Sequence, residues 1–242
     1  MIQEFTNDNY ESKIEQLLAS ILNDGSESLK SLFKLFEVLD SPIDPNDLHE
    51  EYTVQNRKVI VINSTEALKE AIDTIKTAPF ISFDSEQKPV FKKNQKSHGI
   101  SLVQIANDTV CYLIQIKQIE DISPLLNLLQ NKKIIKVGIG LDGDKKELYT
   151  EFNVRLQSTI DLVLILKKLS SHDAIGAKRS AAMFLKQNLK KSKNMSRSNW
   201  ENVQLSDGQI KYASEDATVV YDVLIKMIQD YPFILNFLPK LP

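Results

Sequence analysis

The sequence predicts an α/β fold, a mixed β-sheet flanked by helices with a short helical extension ahead of it. Three observations predict it. Apolar residues recur first at helical spacing, then in short β-rich runs, then mostly at helical spacing again. The stretch Ser41-Pro42-Ile43-Asp44-Pro45 interrupts the chain before the first strand pattern. The charge also changes near that interruption: residues 1–50 hold eleven acidic and three basic side chains, and 51–242 hold 21 acidic and 27 basic. The chain is therefore divided into an acidic helical extension, 1–50 (net −8), and a main domain, 51–242 (net +6).

In the extension, Tyr10, Ile14, Leu17, Leu18, Ile21 and Leu22 form one helical stripe, ended by Asp24-Gly25. Leu29, Leu32, Phe33, Phe36 and Leu39 form a second. These stripes are expected to pack on the main domain or on each other; the alternative is a helix pair that receives a protein partner. In the main domain, 58–62 reads as a strand and Ser64 as the N-cap of a helix to about 77. Residues 80–85 form a second strand, and 98–106 and 109–114 a hairpin around Asn107-Asp108. A helix over 121–130, a buried strand over 134–138 and a short helix over 142–150 follow. Further helices are expected at 161–169, at about 178–189, and over 206–230 with Ser206 as N-cap.

Composition narrows the function classes. With 42% hydrophobic and 26% charged residues in 242, the chain has material for a core, which excludes wholesale disorder. Cys111 is the single cysteine, so neither an internal disulfide nor a zinc site of cysteine pairs is available. The start, Met1-Ile2-Gln3-Glu4-Phe5, lacks the basic and apolar regions of a secretory signal, and the longest apolar run, 162–166, is too short to span a bilayer. An intracellular protein, nuclear or cytoplasmic, with no membrane association is expected; Lys190-Lys191-Ser192-Lys193 is too short to choose the nucleus. The net charge of −2 at first argues against a nucleic-acid partner. The split between segments removes that argument. Between Lys178 and Arg197 the chain carries seven basic residues and no acid, a run that reads as a solvated helix face or as a phosphate-facing patch.

Three acidic sites stand out. In Phe83-Asp84-Ser85-Glu86, two carboxylates two residues apart point to one side at the end of an apolar strand. Such a pair suits hard cations such as Mg²⁺ or Mn²⁺, and equally describes two solvated acids at a strand end. Asp144 would lie in the first turn of a helix after a buried strand, where the helix dipole favours an acid in any case. Tyr212 and Asp216, at i and i+4, share a helix face on which Ala213 and Ala217 allow close approach to the sheet. A competing motif overlaps the second site: Gly138-Ile139-Gly140-Leu141-Asp142-Gly143 fits G-x-G-x-x-G, and Asp161 follows 18 residues later like a ribose-binding acid. Against this dinucleotide reading, Asp142 and Asp144 would repel a pyrophosphate, and the strand does not open a βαβ unit. His49, His98, His172 and Cys111 lack metal-ligand spacing, and Trp200 reads as a packing anchor.

Together these pieces resemble the DEDDy 3′–5′ exonuclease family, the group of ribonuclease D and the Werner-syndrome exonuclease domain. Residues 83–86 resemble its first motif, Gly99-Ile100-Ser101-Leu102-Val103-Gln104-Ile105-Ala106 the strand that follows, and 137–144 with Leu148 the second motif. Ser198-Asn199-Trp200, Leu205-Ser206 and 212–217 resemble the third motif and its lead-in, so the match covers about 58–230. Gln87 departs from the Trp or Thr of many relatives, and the basic helix ending in Leu189-Lys190-Lys191 lacks a glycine common in ribonuclease D relatives.

The resemblance implies a ribonuclease H-like fold and hydrolysis of phosphodiesters from the 3′ end, releasing nucleoside 5′-monophosphates. It implies two divalent ions, Mg²⁺ or Mn²⁺, roughly 4 Å apart. Asp84, Glu86 and Asp216 would hold one ion. Asp84 and substrate phosphate would hold the other, supported by Asp144, while Tyr212 orients the attacking water. The implied partner is nucleic acid with a free 3′ end, met by Gln87, Lys190, Lys191 and Arg197. The alternative is a catalytically weak nucleic-acid-binding or scaffold protein on the same fold, which the intact set of four acids and a tyrosine disfavours.

Overall fold

The computed structural model describes residues 27–55, 57–91, 96–170 and 175–237, together with Ala19. The stripe expected over 10–22 lies, apart from Ala19, outside the described residues. In chain order the elements are α1 (Glu27–Leu39), β1 (Lys58–Ile62), α2 (Thr65–Ile75), β2 (Phe80–Gln87), β3 (Ile100–Ala106), β4 (Val110–Ile114) and α3 (Ser123–Gln130). Then come β5 (Ile135–Gly138), α4 (Asp142–Phe152), β6 (Thr159–Asp161), α5 (Leu162–Leu169), α6 (Ala177–Ser180), α7 (Lys193–Ser196) and α8 (Asp207–Asp230). Among the described residues no helix is long and apolar enough to cross a membrane.

The strands build one six-stranded sheet in the order β1-β4-β3-β2-β5-β6. β2, β3 and β4 run antiparallel to their neighbours in this central group, whereas β1/β4, β2/β5 and β5/β6 are parallel pairs. The β3–β4 turn forms where Asn107-Asp108 predicts it: the Asn107 side-chain oxygen accepts from the amides of Thr109 (3.0 Å) and Val110 (2.9 Å). Alternate side chains of β2 enter opposite faces, as strand geometry requires. Ile81 and Phe83 pack with Leu68 and Ile75 of α2, Leu125 and Leu128 of α3 and Leu148 of α4.

The other face is covered by α8. Ala213 and Ala217, both fully buried, lie against Leu102, Ala106 and Leu113, so the small residues do bring this helix close to the sheet. Farther along, Val219, Val220, Val223 and Leu224 join Ile135, Val137 and Ile160 in a cluster that includes Ile165 and Leu166 of α5. α8 begins with the expected cap. The Ser206 hydroxyl accepts from the Gln209 amide (3.2 Å), and the Gln209 side chain accepts from the Ser206 amide (3.1 Å), a reciprocal pair.

α1 docks into the same cluster through Leu32, Leu35 and Leu39. Here the expected stripe needs correction: Phe33 is 55% exposed, and Leu35, which it omitted, is fully buried. Residues 32, 35 and 39 form a narrow seam, and position 33 lies about 100° around the helix from its neighbour. Two further expectations change. β6 was not anticipated, because three residues are too few for periodicity to register. The helix expected over 178–189 is α-helical through Ser180, continues as a π-helix over Ala181–Leu185, and stops where Lys186 adopts a left-handed φ of 59°. Residues beyond it run alongside 50–52: the Asn188 amide donates to Glu50 O (2.8 Å) and the Tyr52 amide to Asn188 O (3.1 Å). Lys190 and Lys191 therefore follow an extended segment, not a helix end.

Candidate active site

The acids are delivered by three elements. β2 carries Asp84 and Glu86 on the same face as Ser82, whose cross-strand partner Ala106 packs under α8. Pairing with β3 shifts between Glu86 and Gln87, so the regular ladder ends at the second acid. Asp144 lies in the first turn of α4, directly after β5. The turn between them uses Gly140 at φ +80°, and a side chain at Gly138 would collide with Leu141. Tyr212 and Asp216 are one turn apart on α8 and both buried, while Asp84, Glu86 and Asp144 keep partial contact with solvent.

The electrostatics of the cluster are one-sided. Burial, and then the charges of Asp216 and Asp144, hold the Asp84 carboxyl well above the usual carboxylate range; the Lys191 ammonium and the Ser85 amide (2.9 Å) oppose this. Glu86 is pushed up to about 9 by burial and by Asp84 and Asp216. Burial raises Asp144, against the lowering effect of a hydrogen bond from the Ser85 hydroxyl. Burial also raises Asp216, opposed by Lys191 at 2.7 Å and by a hydrogen bond from Tyr212. Burial and the neighbouring acids raise Tyr212, which leaves it a neutral phenol.

Four mutually repelling carboxylates with hard oxygen donors fit divalent cations in both charge and ligand type. Among the described residues, no three Asp, Glu, His or Cys side chains close on one point as they stand. The cation found against the cluster is the Lys191 ammonium, which also lies 5.5 Å from the centre of the Tyr212 ring.

The pattern of acids, helix and sheet has a counterpart among known sequences. The profile of the 3′–5′ exonuclease family matches residues 59–230. The chain belongs to the 3′–5′ exonuclease family. Relatives of this chain include the mouse bifunctional 3′–5′ exonuclease/ATP-dependent helicase WRN, 31% identical over 139 residues, which are 57% of this chain and 10% of that protein. An Arabidopsis thaliana 3′–5′ exonuclease is 29% identical over 155 residues, 63% of this chain and 54% of the relative. This chain thus spans a tenth to about half of the length of these relatives.

Among solved structures, Escherichia coli RNase D, an exoribonuclease involved in structured RNA processing, superposes with a TM-score of 0.64 at 21% identity, over 72% of this chain and 45% of that one. Trypanosoma brucei RNase D in complex with RNA U12 gives 0.64 at 18% identity, over 72% and 64%. The ribonuclease H-like fold and the resemblance to the ribonuclease D and Werner-type exonucleases are both borne out.

Within this chain, Lys191 is the residue of the basic run that reaches the acids. Gln87 accepts a hydrogen bond from the Ser97 hydroxyl (2.9 Å), Lys190 acts on Glu51, and Arg197 is the exposed C-cap residue of α7. Trp200 is buried with its ring 6.0 Å from that of Tyr212, the packing role expected of it, and Cys111 is buried beneath α8. Three residues of the quoted motifs have roles that the motif reading missed. Ser85 holds Asp144 from the position between the two strand acids. Gln104 is fully buried, and among the described residues neither its Oε1 nor its Nε2 has a partner. Asp161 accepts from the amides of Gly140 (2.9 Å), Leu141 (2.8 Å) and Val163 (3.0 Å). Its carboxylate thus fills the amide cradle that a pyrophosphate would need, which overturns the dinucleotide reading. Its N-cap position ahead of the apolar run 162–166 was the available signal.

Proposed function

We propose that this chain hydrolyses nucleic-acid phosphodiesters from a free 3′ end by a two-metal-ion mechanism and releases nucleoside 5′-monophosphates. The observation that carries this reading is the placement of Asp84, Glu86, Asp144 and Asp216 in one electrostatically linked group with Tyr212, where burial raises all four carboxyls and the neighbouring acids raise Asp84 and Glu86 further. Asp84, Glu86 and Asp216 would hold one Mg²⁺ or Mn²⁺; Asp84 and a substrate phosphate would hold the second, with Asp144 supporting it directly or through water. Two such ions, when bound, would cancel the four negative charges and stabilise the attacking and leaving oxygens.

Tyr212, kept neutral, can hydrogen-bond the attacking water without adding charge to the site. The Ser85 hydroxyl fixes the orientation of Asp144. Gln87, Lys190, Lys191 and Arg197 are the groups proposed to meet the strand, three of them as cations for a polyanion. Support for a nucleic-acid substrate comes from the net +6 of residues 51–242 and from the T. brucei RNase D structure with RNA U12. Residues 1–50 are proposed to be an acidic extension, anchored through the apolar seam of α1.

The test is degradation of a 5′-labelled single strand in Mg²⁺ or Mn²⁺, wild type beside Asp84→Ala and Asp216→Ala. The expected result is a ladder of shortened labelled products with the wild type alone. An untouched label across metals and RNA or DNA strands would overturn the proposal, and equal degradation by the variants would assign the activity elsewhere.

A further inference from the structure

We propose that Lys191 is the resident counter-ion of the carboxylate site: its ammonium neutralises Asp216 and covers Tyr212 while divalent ions are absent, and it gives up the carboxylates when they bind. The proposal rests on the reading of the acids as metal ligands.

The ammonium is 2.7 Å from the Asp216 carboxylate and 5.5 Å from the Tyr212 ring centre. It also acts electrostatically on Asp84 and Glu86. One lysine thus acts on three of the four acids, which are contributed by two different elements. Among carboxylates that repel each other, a positive charge at this point offsets part of the repulsion.

The fold builds this position. Lys186 turns the chain out of its helix at φ 59°, and the next residues are held by backbone exchange with 50–52. That strand-like strap is locked in turn to α8, where the Tyr52 hydroxyl donates to Asp222 (2.6 Å) and the Arg57 guanidinium also pairs with Asp222. Asn188, the residue bridged to the strap, is three positions before Lys191. The same helix therefore carries Asp216, Tyr212 and the anchor that sets where Lys191 emerges.

The lysine can also leave. Its side chain retains 35% exposure, and an ammonium on a four-carbon stem is a mobile, readily hydrated charge. The ammonium occupies Oδ2 of Asp216, so a divalent ion that takes that oxygen displaces a charge-assisted hydrogen bond. Losing such a bond corresponds to about a tenfold change in affinity. Once released, the ammonium stays within reach of a phosphate at the site mouth.

The experiment is equilibrium binding of Mn²⁺ to the full chain without nucleic acid, read from the electron paramagnetic resonance signal of free Mn²⁺. Lys191→Met is expected to bind about tenfold more tightly than wild type. Lys191→Arg, which keeps the cation, and Lys193→Met, which removes an exposed charge two residues on, should both match wild type. If Lys191→Met binds no more tightly while wild type binds well, the counter-ion proposal fails and the metal reading stands. If neither wild type nor any variant binds Mn²⁺, the metal reading itself fails and this proposal falls with it. Thermal melting adds a second measurement: in chelator, Lys191→Met should melt below wild type, and saturating Mn²⁺ should remove the difference. Should Lys191→Met not fold, Lys191→Gln, with a polar stem and no charge, makes the same comparison.

Discussion

Asp84 and Gln104 stand directly opposite one another on β2 and β3, so the buried amide shares the face of the sheet that carries the acid. Among the described residues, neither polar atom of Gln104 has a partner. An unsatisfied buried amide costs more than it contributes. Gln104→Leu should therefore leave the fold intact and raise its unfolding free energy by about 1 kcal/mol, measured in urea. A loss of stability would mean that the amide is satisfied in solution, by water or by Asp84.

Ser85 sits between the two strand acids and donates to Asp144 from an element 59 residues away. Ser85→Ala should reduce exonuclease turnover about tenfold, in the range typical for groups that orient a ligand. Melting should change little, since a single partly exposed hydroxyl is removed. Unaltered turnover would show that Asp144 is held by α4 alone.

Tyr212 is proposed to act on water and not on metal. Tyr212→Phe should then lower turnover on the order of a hundredfold while Mn²⁺ binding stays at the wild-type value. A parallel loss of Mn²⁺ affinity would place the hydroxyl among the ligand supports.

The strap depends on Asp222, which accepts from both the Tyr52 hydroxyl and Arg57, with side-chain exposures of 7% for Arg57 and 16% for Asp222. Asp222→Ala leaves a largely buried guanidinium without its carboxylate and should cost about 3 kcal/mol. Tyr52→Phe removes one hydrogen bond and should cost about 1 kcal/mol. Equal, small effects in denaturant titrations would show that the strap is held by its backbone bonds.

Lys136 is fully buried in β5, donating to Asn131 O (2.6 Å) and Ile134 O (2.9 Å), and burial pushes its ammonium down to about 7. The unfolded chain holds this proton up to its ordinary value near 10.5. Between these limits the unfolded state binds more protons, so the contribution of Lys136 to stability rises with pH and is lost as pH falls back through 7. The difference in unfolding free energy between wild type and Lys136→Met should shift in favour of wild type from pH 7 to pH 10. A flat difference would mean that the two carbonyls hold the charge at its ordinary pKa.

Much of this was legible from spacing. The pair Asp84/Glu86 followed from the two-residue period of a strand, Tyr212/Asp216 from the four-residue return of a helix, and the start of α8 from Ser206 and Gln209. These are local relations, set by backbone geometry within a few residues. What failed was either too short or too non-local. β6 has three residues, and the end of the helix near Lys186 comes from a left-handed residue that apolar periodicity does not report. The inward turn of Leu35 in place of Phe33 was decided by which narrow seam of α1 the core accepts.

By itself, then, the sequence determined the class of fold, the order of its longer elements and the acids with their tyrosine, because each depends on repeating local geometry or on a resemblance carried by short motifs. The tertiary structure alone decided that Ser85 serves Asp144, that Asp161 closes the cradle above β5, and that Lys191 rather than Lys190 or Arg197 meets the acids. These partners lie 59, 20 to 21 and 25 residues apart along the chain. Only close packing of the sheet, its covering helix and the strap brings such distant charges within hydrogen-bond reach, and at that range burial and Coulomb forces choose among residues that composition treats as alike.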